Sequence, residues 1–164
     1  MIAKIAIRLL AGLLIASSAH AGCHVDSKAT IPLDVTGGAI ILPLQINEII
    51  ALFILDTGAQ RSVVTENAVR RLGLARDQWI GTTMQGIGGI GSRPNADPRS
   101  LELGGVALVR RTLNHDNSLT VGVLPRTRIG NLVIDGALGR DFLSLFDLDL
   151  DVPGRRLTLY HVHN

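Results

Sequence analysis

One short segment carries the residue types for hydrolytic chemistry. Asp56-Thr57-Gly58-Ala59 puts a carboxylate, a hydroxyl and two small residues in succession, directly after the apolar run Ile49-Ile50-Ala51-Leu52-Phe53-Ile54-Leu55. A carboxylate at the end of so apolar a strand is costly unless it is hydrogen-bonded or functional. It has the chemistry of a general base toward water, and the glycine two residues on lets a substrate or a second carboxylate approach with no Cβ in the way. An Asp-Thr/Ser-Gly triplet arises by chance in about a few per cent of chains of this size. Its surroundings must therefore carry the reading.

The other candidate motifs stop short of a chemistry. Gly86, Gly88 and Gly91 fit G-x-G-x-x-G, but no apolar strand runs into them and no helix follows before Pro94 and Pro98, so no dinucleotide or other cofactor is expected. Asp147, Asp149 and Asp151 alternate with leucines. A calcium loop needs a glycine next and a closing glutamate, whereas Val152 and Pro153 follow, and a solvated strand face is the better reading. His161 and His163 share one strand face and supply two ligands at most, so no metal is expected. Cys23 is the single cysteine and can make no internal disulfide. Neither a Ser/His/Asp order nor a thiolate site competes with Asp56.

The elements that must hold Asp56 read mainly as strands, because the hydrophobic period beyond the N-terminal segment is two, or a short continuous run, bounded by Gly, Pro and Asn. Strands are predicted over residues 30–35, Ala39–Ile46 and Ile49–Leu55, the last apolar on both faces and so suited to a sheet centre. Extended structure resumes at Ser62-Val63-Val64-Thr65. Residues 65–72 open on a threonine cap, place Ala68, Val69 and Leu72 at helical spacing and stop at Gly73, which predicts one short helix. Gln85-Gly86-Ile87-Gly88-Gly89-Ile90-Gly91-Ser92 suits a hairpin tip, while residues 92–100 and 112–118 are polar and read as loops. Farther on, residues 131–138 read as an apolar strand and 140–145 as a helical turn. Residues 146–151 read as a strand with one buried face, which turns at Pro153-Gly154 into a returning strand over 155–162.

At 164 residues, 46% hydrophobic and 18% charged, the composition suits one globular domain. The longest apolar run near the start, residues 9–16, is far short of the roughly 20 residues of a spanning helix, which excludes a polytopic membrane protein. Residues 1–21 combine Lys4 and Arg8, a short apolar centre and Ala19-His20-Ala21, the pattern of a secretory signal peptide. Its removal predicts an exported, periplasmic product with an N-terminal tail over 22–29 and a single domain over 30–164. Ala21-Gly22-Cys23 leaves lipid anchoring at Cys23 as the alternative, although His20 stands where such signals usually have leucine. Membrane association is expected only if Cys23 is lipidated or the signal is retained. The segment takes two of the 16 basic residues and none of the 14 acidic ones, so the mature chain carries no net charge. Its arginines fall in scattered pairs such as Arg70-Arg71 and Arg155-Arg156 instead of a basic stripe, and no nucleic-acid partner is expected.

In this setting the chain resembles the retropepsins, the retroviral-type aspartic proteases, and in particular their exported bacterial single-domain relatives. Phe53-Ile54-Leu55-Asp56-Thr57-Gly58-Ala59 matches the family's active-site loop, and Met84-Gln85-Gly86-Ile87-Gly88-Gly89-Ile90-Gly91 resembles its flap. Ile134-Asp135-Gly136-Ala137-Leu138-Gly139-Arg140-Asp141-Phe142-Leu143 resembles its apolar-apolar-Gly strand leading into a helix. The hairpin over 146–160 is similar to the closing strands of the bacterial members. The chain departs from the retroviral pattern at Gln60, where those members carry an acidic residue that pairs with the arginine matching Arg140. It departs again in length, since Gly139 follows Asp56 by 83 residues.

The resemblance implies an all-β (mainly), single-lobe retropepsin-like closed fold with one or two short helices and a glycine-rich flap hairpin. It implies an aspartic endopeptidase in which Asp56 is catalytic, Thr57 locks the paired loops, and Gly58 and Ala59 complete the loop. Gly86, Ile87, Gly88 and Gly89 would close over a peptide substrate, and Ala137, Leu138, Gly139 and Arg140 would support the loop from a neighbouring strand. Two carboxylates held close share one proton, so the pair can deprotonate a water while protonating the scissile carbonyl. The chain holds one Asp-Thr-Gly, and Asp135-Gly136 lacks the intervening hydroxyl residue. Activity therefore calls for a homodimer with one Asp56 from each subunit across a two-fold axis. The rival reading is a noncatalytic exported module that holds an extended peptide in the same groove by strand addition, with Asp56 a structural residue.

Overall fold

The computed structural model describes residues 24–86, 89–108 and 117–163. Strands dominate, as the period-two pattern predicts. The chain begins with β1 (His24–Pro32) and β2 (Asp34–Thr36), followed by β3 (Ala39–Ile46) and β4 (Ile49–Leu55). The two-residue turn between β3 and β4 uses Asn47 and Glu48, both at positive φ, which matches the twist of the hairpin it joins. After β5 (Val63–Thr65) comes α1 (Glu66–Arg71), capped by Thr65 and ended by Gly73 at φ 61°, as its sequence signals predict. Ala68, Val69 and Leu72 all face the core.

A long hairpin of β6 (Ala75–Gly86) and β7 (Gly89–Asp97) precedes β8 (Leu101–Leu103), β9 (Val106–Ala107) and β10 (Leu119–Gly122). Then follow β11 (Arg128–Ile129), β12 (Leu132–Val133), β13 (Gly136–Leu138), α2 (Arg140–Leu143), β14 (Asp147–Asp151) and β15 (Arg156–His163). The main sheet has 10 strands in the order β6-β7-β10-β5-β13-β4-β3-β8-β9, with β2 on β3. Its strand path runs open from β6 to β9 instead of closing on itself. A second sheet, β1-β15-β14, joins the two ends of the described chain.

Alternation along β3 and β4 builds a core on each face of the main sheet. Leu42, Leu44, Ile46, Ala51 and Phe53 pack into the larger cluster with Phe142 and with Leu157 and Leu159 of β15. Ile41, Leu52 and Ile54 pack on the other face with Val63, Ala137 and Met84.

Five sequence expectations are corrected by this arrangement. The described part of the 22–29 tail is strand, because His24 through Ala29 pair with β15 as part of β1. Residues 30–35 divide between β1 and β2. Ile49–Leu55 lies at a sheet centre as predicted, but it is not buried on both faces: Ile50 is 66% exposed, since only alternate positions reach the larger core. Residues 92–97 form strand instead of loop, with Ala96 and Asn95 paired to Leu119 and Thr120 of β10. Pro94 stands opposite Gly81, beside the bulge between Arg76 and Gly81, where a missing amide is tolerated. Residues 131–138 break into β12 and β13, because Ile134 and Asp135 leave the hairpin for separate hydrogen bonds to Thr127 and Leu52. Most of the 112–118 loop lies outside the described residues. In β14, Asp147 and Asp149 are exposed as predicted, while Leu148 packs on the core and Leu150 stays 39% exposed.

Candidate active site

Asp56 stands where β4 ends, and β13 is what brings its neighbours to it. These two strands run parallel, with Gly136 beside Phe53 and Leu138 beside Leu55. The Asp56 amide donates to the Leu138 carbonyl at 3.0 Å, and the Arg140 amide donates to the Ala59 carbonyl at 2.8 Å. Apolar-apolar-Gly is the pattern this contact needs. A Cβ on Gly136 would lie 2.2 Å from the Phe53 ring and 2.3 Å from the Val63 carbonyl, and one on Gly139 would meet Arg61 and Ala59 backbone at 2.8 and 2.9 Å.

The carboxylate itself is fixed by its own loop. Oδ1 of Asp56 accepts from the amides of Gly58 and Ala59 at 3.0 and 3.1 Å, which leaves Oδ2 without a partner among the described residues. Asp56, Thr57 and Gly58 are exposed in the single chain. The buried carboxylate expected from the apolar strand is therefore a surface one, because β4 hands over to the loop before Asp56. Two main-chain donors still hold it in one orientation.

Opposite this loop lies the glycine hairpin. Gly86 pairs with Gly89 at the end of the β6–β7 ladder, while Ile87 and Gly88 lie outside the described residues. A cleft of about 370 Å³ separates residues 58–61 from residues 83–85 of β6. Met84 of this hairpin packs against the smaller core cluster that includes Val63 and Ala137. Of the supporting residues, Ala137 and Leu138 are buried on opposite faces of the sheet and Gly139 is enclosed, whereas the Arg140 side chain is exposed.

Three residues that brace the loop were not singled out by sequence reasoning. Asp141 is buried at the start of α2, where Oδ2 accepts from the Ser62 amide at 2.9 Å and Oδ1 from the Ser62 hydroxyl at 2.6 Å. Ser62 Oγ in turn accepts from the Gly139 amide at 2.8 Å. Arg61 places Nε 3.7 Å from Asp141 and donates from Nη2 to the carbonyl and hydroxyl of Ser118. A readable signal exists for Asp141: an aspartate beside Phe142 and Leu143 in a core-facing turn needs buried partners. Asp135 is also buried and engaged. It accepts from the Leu52 amide and pairs with Arg71 at 2.6 Å, at the end of β13 away from Asp56. Among the described residues no group of three His, Cys, Asp or Glu is placed to hold a metal, and no helix is long and apolar enough to cross a membrane.

This combination of a parallel β4–β13 pair, a carboxylate loop at its end and a facing hairpin is the retropepsin-like fold. A retropepsin-like aspartic protease from Rickettsia conorii superposes with a TM-score of 0.56 at 19% identity, covering 86% of this chain and 95% of that one. EIAV protease complexed with the inhibitor HBY-793 aligns at 25% identity and a TM-score of 0.47, over 63% of this chain and 84% of that one. Residues 42–142 match the sequence profile of the Aspartyl protease family, so the chain belongs to that family. A search of curated proteins returns no match.

Proposed function

We propose that the chain is an aspartic endopeptidase that cleaves extended peptide segments as a homodimer, with Asp56 of each subunit forming the catalytic pair. The observation that carries this reading is the cleft between the Asp56 loop and the glycine hairpin, about 370 Å³ in volume. An extended peptide lying there runs along Gly58 to Arg61, the residues that follow the main-chain-anchored Asp56, and faces a hairpin able to act as a lid.

With the two Asp56 carboxylates adjacent across a two-fold axis, one is protonated and one is not. The ionised member takes a proton from the attacking water as its oxygen bonds to the scissile carbonyl carbon, while the protonated member gives its proton to the carbonyl oxygen. The tetrahedral intermediate then breaks its C–N bond: the newly protonated member gives its proton to the leaving nitrogen while the other takes a proton from a hydroxyl of the intermediate, which leaves the carboxylic acid product, the amine and a pair that again shares one proton. Gly58 keeps the approach open, and Thr57 is exposed on the loop, free to bond to its copy.

A homodimer is favoured because the two buried carboxylates among the described residues, Asp135 and Asp141, already have partners and neither can serve as the second catalytic acid. Export with loss of residues 1–21 completes the reading, with the mass of the N-terminal peptide as its check.

The decisive experiment incubates the purified mature chain with a peptide library beside the Asp56→Asn protein, with sedimentation run on both. Cleavage by the wild-type dimer and silence from the variant support the protease. Peptide binding without cleavage by pure wild-type dimer selects the noncatalytic module instead.

A further inference from the structure

We propose that Arg61 makes the cleft selective for substrates bearing an acidic side chain, an inference that deepens the protease reading and rests on it. Among the described residues that line the cleft, Arg61 is the ionisable one; the others are Gly58, Ala59, Gln60, Thr83, Met84 and Gln85. Its guanidinium is held in place but not saturated. Nη2 makes two long bonds, 3.3 Å each, to the carbonyl and hydroxyl of Ser118. Nε is buried without a hydrogen-bond acceptor, and Nη1 has no partner among the described residues.

Asp141 does not complete the arginine. At 3.7 Å from Nε it is beyond hydrogen-bond reach, its side chain is 2% exposed, and its oxygens already accept from the Ser62 amide, the Ser62 hydroxyl and the Phe142 amide. Arg61 itself keeps 24% of its side-chain surface exposed. A guanidinium whose Nη1 is unengaged at the wall of the cleft can give an incoming carboxylate a charge-assisted hydrogen bond. Glutamate or aspartate in the bound segment supplies that carboxylate. Lysine or arginine at the same place meets like charge.

The test uses matched peptides that differ only by Glu, Gln or Lys at each position around the cut. Wild-type protein is expected to prefer Glu over Gln in kcat/KM by about tenfold or more at one position, the scale of a hydrogen bond to a charged group. Arg61→Ala should bring that ratio to about one, Arg61→Lys should keep most of it, and Arg61→Glu should turn it toward Lys. A purely structural arginine would lower all three peptides together and leave the ratio unmoved. A ratio near one in wild type at every position overturns the proposal, as does a ratio that survives in Arg61→Ala. If the wild-type protein cleaves nothing, the same ratio is read from Kd by anisotropy of labelled peptides. Acidic preference there upholds the role of Arg61 while the protease reading fails, and its absence overturns both.

Discussion

The Ser62 hydroxyl donates a hydrogen bond to Asp141 at 2.6 Å and accepts one from the Gly139 amide at 2.8 Å, so one serine ties the loop after Asp56 to the turn that opens α2. Both residues are buried, and a buried donor that loses its acceptor keeps its desolvation penalty. Asp141→Ala should lower unfolding stability by about 1–3 kcal/mol or somewhat more, since the lost bonds are to a carboxylate. Ser62→Ala should cost a comparable amount. Because the two act on one network, the double variant should cost less than the sum. Urea midpoints on the four proteins measure the coupling, and strict additivity would mean that the two side chains do not act as one brace.

Gly139 is the position where sequence and geometry agree most tightly. Any Cβ there meets main-chain atoms of Ala59 and Arg61 within 3 Å, and main chain cannot swing aside as a side chain can. Gly139→Ala is therefore expected to push the Asp56 loop away from β13 and to lower both thermal stability and peptide turnover. Gly105→Ala provides contrast: its built Cβ touches nothing, so its penalty comes from the positive φ alone. Thermal midpoints separating the two variants check the claim.

Asn47 supports the far end of the same sheet. It sits buried at φ 49°, donates to the carbonyls of Leu72 and Gly73, and accepts from the amides of Arg99 and Ser100. One side chain thus joins the β3–β4 turn to the end of α1 and to the start of β8. Asn47→Ala should destabilise by about 2–4 kcal/mol, combining left-handed backbone strain with several lost bonds. Asn47→Gly should recover only the backbone part, and the difference between their unfolding free energies isolates the side chain.

Local chemistry made much of this legible. The Thr65 cap, the Gly73 stop and the pairing of β14 with β15 across the Pro153-Gly154 turn are set by near neighbours in the chain, and each appears where the residues place it. The strand through Pro94 was illegible because its partners, Gly81 beside a bulge and Leu119 on β10, lie elsewhere in the sequence. The same reason hid the bracing residues. Ser62 and Asp141 are 79 positions apart, and the pairing of β13 with β5 and β4 brings them together. Asp56 itself was found from its triplet and the strand before it, but its exposure was not, since burial of an apolar strand does not extend past the last residue of its ladder.

Asp56→Asn tests the carboxylate chemistry directly. The amide can accept the same Gly58 and Ala59 hydrogen bonds through its oxygen, so the loop should keep its shape and the fold its stability. What is lost is the base, and turnover should fall by about two to four orders of magnitude. Unchanged circular dichroism with residual activity at background is the expected pair of results. Full activity in the variant would assign the chemistry to another group.

Dilution should lower specific activity, because a site made of two Asp56 carboxylates exists only while two chains are associated. The count of carboxylates supports the proposed dimer: Asp-Thr-Gly occurs once, Asp135 is paired with Arg71, and Asp141 is bonded to Ser62. Gln60 replaces the acidic residue of the retroviral pattern named above, and the Arg140 side chain is exposed with no partner among the described residues. An association lacking that ion pair should dissociate readily, so initial rate should rise with the square of enzyme concentration at the dilute end and linearly at the concentrated end. Sedimentation over the same range should place the change of slope where dimer replaces monomer. A rate that stays linear throughout, from a species sedimenting as a monomer, would remove the shared site and leave the single Asp56 to account for all activity.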